Sequence, residues 1–140
     1  MGRRRQAREF ALQTLYLSDV ARLDIADAYA IVSSTSSLDA KSQLFARELL
    51  NGAATHRPEI DERIVAIAQN WALDRMAAVD RNLLRLASYE LLYCPETPVN
   101  VIIDEALEIG KVFSSSDSSK FLNGILDKIK EHRTPKNPAA

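Results

Sequence analysis

Val99-Asn100-Val101-Ile102-Ile103-Asp104-Glu105-Ala106-Leu107-Glu108-Ile109-Gly110-Lys111-Val112-Phe113 is the stretch that decides the fold. Val99, Ile102, Ile103, Ala106, Ile109, Gly110 and Phe113 recur at steps of three and four. That spacing stacks side chains along one face of a helix with 3.6 residues per turn. Just upstream, Pro95 and Pro98 close a helix expected over about 76–93, because proline cannot continue one. This segment is apolar on two sides, with Val79, Leu83 and Leu86 on one and Leu84, Ala87 and Leu91 on the other. It therefore reads as a central helix buried between neighbours.

Working outward, a last helix is expected over about 117–131, through Phe121, Leu122, Ile125 and Ile129. Asn123-Gly124 lies within that stripe and reads as a close helix–helix contact instead of a hairpin turn. Upstream, the same periodicity predicts helices over about 4–20 (Ala7, Phe10, Ala11, Thr14, Leu15), 24–35 (Ile25, Ala28, Tyr29, Val32) and 39–56 (Phe45, Leu49, Gly52, Ala53). Ser33 to Ser37 separate the second and third. Pro58 suits the start of another helix, which aligns Ile60, Ile64, Ile67, Ala68 and Trp71. The expected fold is all-α, about seven helices in two packed helical bundles forming one compact domain over 1–133. A seam near Ala72 to Ala78 divides it into an N-terminal group of about 1–74 and a C-terminal one of about 75–133. A disordered tail is expected over 134–140.

Composition agrees. The 140 residues include four glycines and five prolines, too few breakers for the many tight turns of a sandwich or barrel. Cys94 is the only cysteine, and His56 and His132 lack metal-ligand spacing, so no metal site is expected. No phosphate-cradling glycine loop appears, and no nucleophile adjoins a base. The chain reads as a non-enzyme without a cofactor. No apolar run reaches the ~20 residues of a membrane span, and the charged N-terminus is unlike a secretory signal. A cytoplasmic protein with no membrane association is the expectation.

Net charge is only −1, yet Arg3, Arg4, Arg5 and Arg8 all precede the first acid, Glu9. They stand at a helix N-terminus, where the dipole disfavours positive charge. Arg4 and Arg8 repel at four-residue spacing, and only Arg5, four before Glu9, has an evident intrahelical partner. Arginine forks bind phosphate bidentately, so nucleic-acid binding is one reading. A solvated terminus and attraction to a membrane surface are the others. A second candidate is the loop Phe113-Ser114-Ser115-Ser116-Asp117-Ser118-Ser119-Lys120. There Ser116 or Asp117 would cap the last helix, and Phe113 stands where a base can stack. Glu90 falls on the buried side of its helix and calls for Arg85 or Arg81 as partner, a structural ion pair. Asp104, Glu105 and Glu108 read as a solvated face.

In order and spacing, the chain resembles the NusB family of transcription antitermination factors over roughly residues 3–130. The matching pieces are Arg3 to Glu9, Leu12 to Tyr16, Trp71 and Arg75, Val79-Asp80-Arg81, Leu84 to Ala87, Tyr89-Glu90-Leu91, Pro98-Val99, Asp104-Glu105-Ala106, Lys111, Phe113 and Ser119 to Asp127. Gln6, Asp104 and Ser114 depart from the commoner pattern. The resemblance implies two helical bundles that bind the single-stranded boxA element of nascent ribosomal RNA transcripts. It implies action with the ribosomal small-subunit protein NusE on the elongating RNA polymerase complex, suppressing premature termination. It implies RNA contacts at Arg3, Arg4, Arg5, Arg8, Phe113, Ser116, Asp117 and Lys120, and partner contacts at Asp80, Arg81 and Leu84. Four phosphates neutralised by the four arginines would set a slope near −3 in log affinity against log salt. The alternative is a helical protein–protein interaction module, or a homodimer, without RNA binding of its own.

Overall fold

The central helix predicted over about 76–93 is α5, Ala78–Tyr93, and eleven of its sixteen residues are buried. In a computed structural model describing residues 2–115 and 117–133, five other helices pack on it. These are α1 (Arg3–Ala21), α3 (Ala40–Thr55), α4 (Arg57–Ile67), α6 (Val99–Phe113) and α7 (Ser118–Ile129). The remaining helix, α2 (Ile25–Ser33), lies on α1. Among the described residues there are seven α-helices, two short 3-10 turns and no strand. The tail expected over 134–140 lies outside the described residues.

One apolar core runs through α1, α3, α4, α5, α6 and α7, from Ala11 and Leu12 to Leu126 and Ile129. A smaller cluster of Ala7, Phe10 and Ala46 sits under α2, where Phe10 meets Tyr29 edge-to-face at 5.3 Å. Although α4 precedes the predicted seam, it packs mainly on α5 and α7. Sequence proximity is thus a poor guide to its place among the bundles. Its helix also stops at Ile67, so Trp71 does not extend the Ile60–Ile64 face and is 53% exposed.

Two sets of ion pairs attach α1 to α5. Near the start of α1, Arg8 meets Glu90; near its end, Asp19 accepts hydrogen bonds from Arg81 (2.7 Å), Asn82 (2.8 Å) and Arg85 (3.2 Å). As α1 advances from residue 8 to residue 19, its partners retreat from residue 90 to residue 81, so the two helices run antiparallel. Arg85 also binds Asp61 of α4 at 2.8 Å. The Arg81 guanidinium, with Asn82 and Arg85 beside it, holds the Asp19 carboxyl down at about 2.

The close helix approach expected at Gly124 occurs at other glycines. Gly124 is exposed, with open space where a Cβ would stand. Gly52 of α3 lies under the Tyr89 ring, which a Cβ would overlap. A Cβ at Gly110 of α6 would approach Leu122 to 2.9 Å. Gly52→Ala is therefore expected to destabilise the protein by about 1–3 kcal/mol through overpacking. Gly124→Ala should stabilise it by up to about 1 kcal/mol, because only helix propensity changes. Urea denaturation of the two variants checks the opposite signs.

Candidate nucleic-acid interface

Helix α1 begins without help from its own sequence: Gly2 at the N-cap offers no side chain, and the first turn holds no acid. The partners of its arginines come from elsewhere in the fold. Arg3 is the least engaged, with its side chain 74% exposed and Asp39 at 3.4 Å; an ion pair so open to water contributes little. Arg4 lies with its guanidinium 4.1 Å above the Phe45 ring, a cation–π contact that fixes its direction. Arg5 pairs not with Glu9 but with Glu105, its Nε donating to Oε1 at 2.9 Å and Nη2 to Oε2 at 2.6 Å. The hydrogen bonds from Arg5 hold the Glu105 carboxyl below its ordinary range, and the same contact raises Arg5. Of the three acids expected to form a solvated face, Asp104 and Glu108 are exposed, whereas Glu105 turns inward to this pair.

Arg8 corrects the sequence-based expectation most. It is 5% exposed, and its Nε donates to both Glu90 oxygens at 3.0 and 2.9 Å, with Glu105 3.9 Å from Nη1. Glu90 therefore takes its partner from α1 and not from Arg81 or Arg85, which serve Asp19 and Asp61. The local mismatch with the helix dipole is offset by long-range carboxylates. A groove of about 510 Å³ opens beside this end of α1, lined by Arg4, Arg5, Arg8, Glu96, Thr97, Pro98 and Glu105 among others. On the other flank of Arg4, Lys41, Ser42 and Phe45 line a second one of about 220 Å³.

The loop after α6 is organised by serines. Ser114 and Ser115 place their hydroxyls 2.9 and 3.3 Å from Ser118 Oγ, which donates to Asp80 Oδ2 at 3.0 Å. Asp117 occupies the N-cap position of α7, but its side chain makes no capping bond and is exposed. Ser116 lies outside the described residues. Lys120 is exposed, while Phe113 is half-buried against the core. The two candidate halves do not close into one cleft. At 1.5 Å per residue, α6 sets Phe113 about 12 Å beyond Glu105 along its axis.

Among the expected partner-binding residues, Leu84 is 0% exposed and belongs to the core, so it offers no surface. Its face of α5 is covered by packed helices, a consequence of that helix being central. Arg81 is spent on Asp19 and on the Met76 carbonyl at 3.1 Å. Asp80 is nearly buried but lines a groove of about 260 Å³ with Trp71, Arg75, Met76, Ser118 and Phe121. Trp71 and Phe121 meet edge-to-face at 6.4 Å and also wall a neighbouring groove of about 380 Å³ that contains Lys120 and Lys128. Sequence reading counted both rings as helix-face residues. Trp71 stands in the loop beyond the end of α4, a helix end that the apolar spacing through Ala68 and Trp71 concealed.

Among the described residues, no group of three or more His, Cys, Asp or Glu is arranged to hold a metal ion, and no helix is long and apolar enough to cross a membrane. Fold and surface together define a small helical module with an arginine-bearing helix end and an exposed aromatic groove. The chain belongs to the NusB family, whose model matches residues 5–131. A transcription antitermination protein NusB of Elusimicrobium minutum is 48% identical over 135 residues, 95% of this chain and 96% of its own length. T. maritima NusB is 36% identical with a TM-score of 0.86, covering 95% of this chain and 94% of that one. A chain from the crystal structure of antitermination factors NusB and NusE in complex with dsRNA is 26% identical with a TM-score of 0.84, covering 94% of this chain and 98% of that one.

Removing one partner of a buried ion pair leaves the other charge uncompensated. Glu90→Gln is expected to destabilise the fold by about 3 kcal/mol, measured by urea denaturation. Glu108→Gln, which alters an exposed pair with Lys111, should leave the urea midpoint essentially unchanged, because water screens so open a pair.

Proposed function

We propose that this chain is a transcription antitermination factor that binds boxA-like single-stranded RNA of nascent ribosomal transcripts together with NusE. The complex joins elongating RNA polymerase in the cytoplasm and suppresses premature termination. The protein acts by tethering, without a cofactor and without catalysis. The observation that carries the RNA reading is Arg4: its guanidinium is held over Phe45 between two grooves, and among the described residues it has no carboxylate partner. Arg3 stands beside it, exposed. Lys120 and Asp117, both exposed at the start of α7, are the second, separate set of polar groups in this reading.

Because Arg5 and Arg8 are already paired, the expected RNA-contacting cations left to neutralise phosphate are Arg4, Lys120 and Arg3, whose contact with Asp39 is open to water. Three such contacts give a slope of about −2 in log affinity against log salt for a single strand, shallower than four arginines would give. Arg3→Gln with Arg4→Gln should weaken binding roughly ten- to thirtyfold at 0.1 M salt. Fluorescence anisotropy with a labelled boxA-like RNA measures both. A flat salt response, or undiminished binding by the double variant, would sink the proposal.

For NusE, the groove walled by Trp71 and Phe121 is the proposed docking surface, with Asp80 at its floor. An exposed aromatic wall beside a half-open groove is the kind of anchor that dominates protein interfaces. Trp71→Ser is expected to weaken NusE binding at least about tenfold, while melting temperature stays near that of the wild type. Titration calorimetry with NusE checks this.

A further inference from the structure

Arg5 points into the groove proposed for RNA, yet its fork is occupied. A carboxylate and a phosphate present the same pair of acceptor oxygens to a guanidinium. Glu105 fills that place with two short hydrogen bonds, at 2.9 and 2.6 Å. The pair is only partly buried, its side chains 24% and 22% exposed, so a competing anion has access. Arg8 stands 3.9 Å from the same carboxylate and retains Glu90 as its own partner. Glu105 can therefore leave Arg5 without stranding Arg8. Its depressed carboxyl pKa, caused first by the Arg5 hydrogen bonds, keeps it ionised through the neutral and mildly acidic range.

From this geometry we infer that Glu105 is an internal phosphate mimic, a specificity-determining residue that withholds Arg5 from RNA until a phosphate displaces it. The inference rests on the RNA-binding reading above. Its physical consequence is a threshold. A polyanion that merely passes the helix end finds Arg3, Arg4 and Lys41. A strand held there by further contacts keeps a phosphate beside Arg5 long enough to take the carboxylate's place. Affinity for arbitrary polyanions is thereby lowered in favour of strands that engage the rest of the surface, a form of discrimination by competition.

The test uses the full chain and a short fluorescent single-stranded RNA, titrated across a range of salt concentrations. Glu105→Gln is expected to bind about threefold or more tighter and to steepen the salt slope by about 0.7, the signature of one more phosphate contact. In an Arg5→Met background, Glu105→Gln should leave the slope at the wild-type value, because there is no fork to release. Glu108→Gln removes the same charge from the same helix and should change affinity less than about twofold. Helical content and melting temperature confirm that each variant folds. Glu105→Ala serves as a second variant, since the glutamine oxygen can still accept one bond from Arg5. The inference is overturned if neither Glu105 variant binds tighter. It is equally overturned if the steepening persists without Arg5, or if Glu108→Gln matches the gain. A wild-type protein that binds no RNA would instead overturn the reading beneath it.

Discussion

The contact on which the rest of the arrangement depends is Arg8 with Glu90, an ion pair sealed between α1 and α5. Burying a charge is costly unless a partner meets it with good geometry. Once those two side chains enter the interior, each fixes the other, and the helices that carry them lose the freedom to slide. The Asp19 cluster does the same farther along α1. Two anchor points on one helix define its register as well as its contact. That register decides which arginines of the first turns face water and which face the protein.

The functional surface follows from this division. Arg3 and Arg4 precede the first buried turn and remain outside, while Arg5 falls at the boundary and Arg8 within. Four arginines within six residues therefore have four different environments: nearly free, stacked on a ring, paired at the rim, and sealed. The loop before α7 has its own tether, through Ser118 to Asp80. This ties the loop to α5, the helix that also anchors α1. A single buried helix thus supports both polar regions, even though they lie apart on the surface.

Much of the helical layout was legible in the sequence, because it rests on local periodicity. The stripe over Val99 to Phe113 predicts α6 end to end, and the two-sided pattern around Leu83 and Leu84 predicts a buried α5. Pairing was not legible. Glu90 and Glu105 lie 82 and 100 residues from the arginines they bind, and no spacing rule reaches that far. The same limit explains why Gly124, bracketed by apolar residues, is exposed, while Gly52 is covered by Tyr89. Leu84 shows the converse error. A motif residue at the start of a helix was expected at a partner surface, but the helix being central makes it core. Trp71 departs from its predicted face because α4 ends before it.

The antiparallel clamp of α1 on α5 also bears on biosynthesis. Synthesis proceeds from the N-terminus, so the arginine-bearing turns leave the ribosome before the carboxylates of α5 and α6 that receive them. The carboxylates that receive them are encoded near residues 90 and 105, and docking across so long a loop waits on its closure. Until α5 and α6 follow, Arg5 and Arg8 lack the carboxylates that hold them, although α2 and α3, on which α1 also packs, are already made. The unfinished chain is therefore more basic along α1 than the folded protein, in which carboxylates match Arg5 and Arg8.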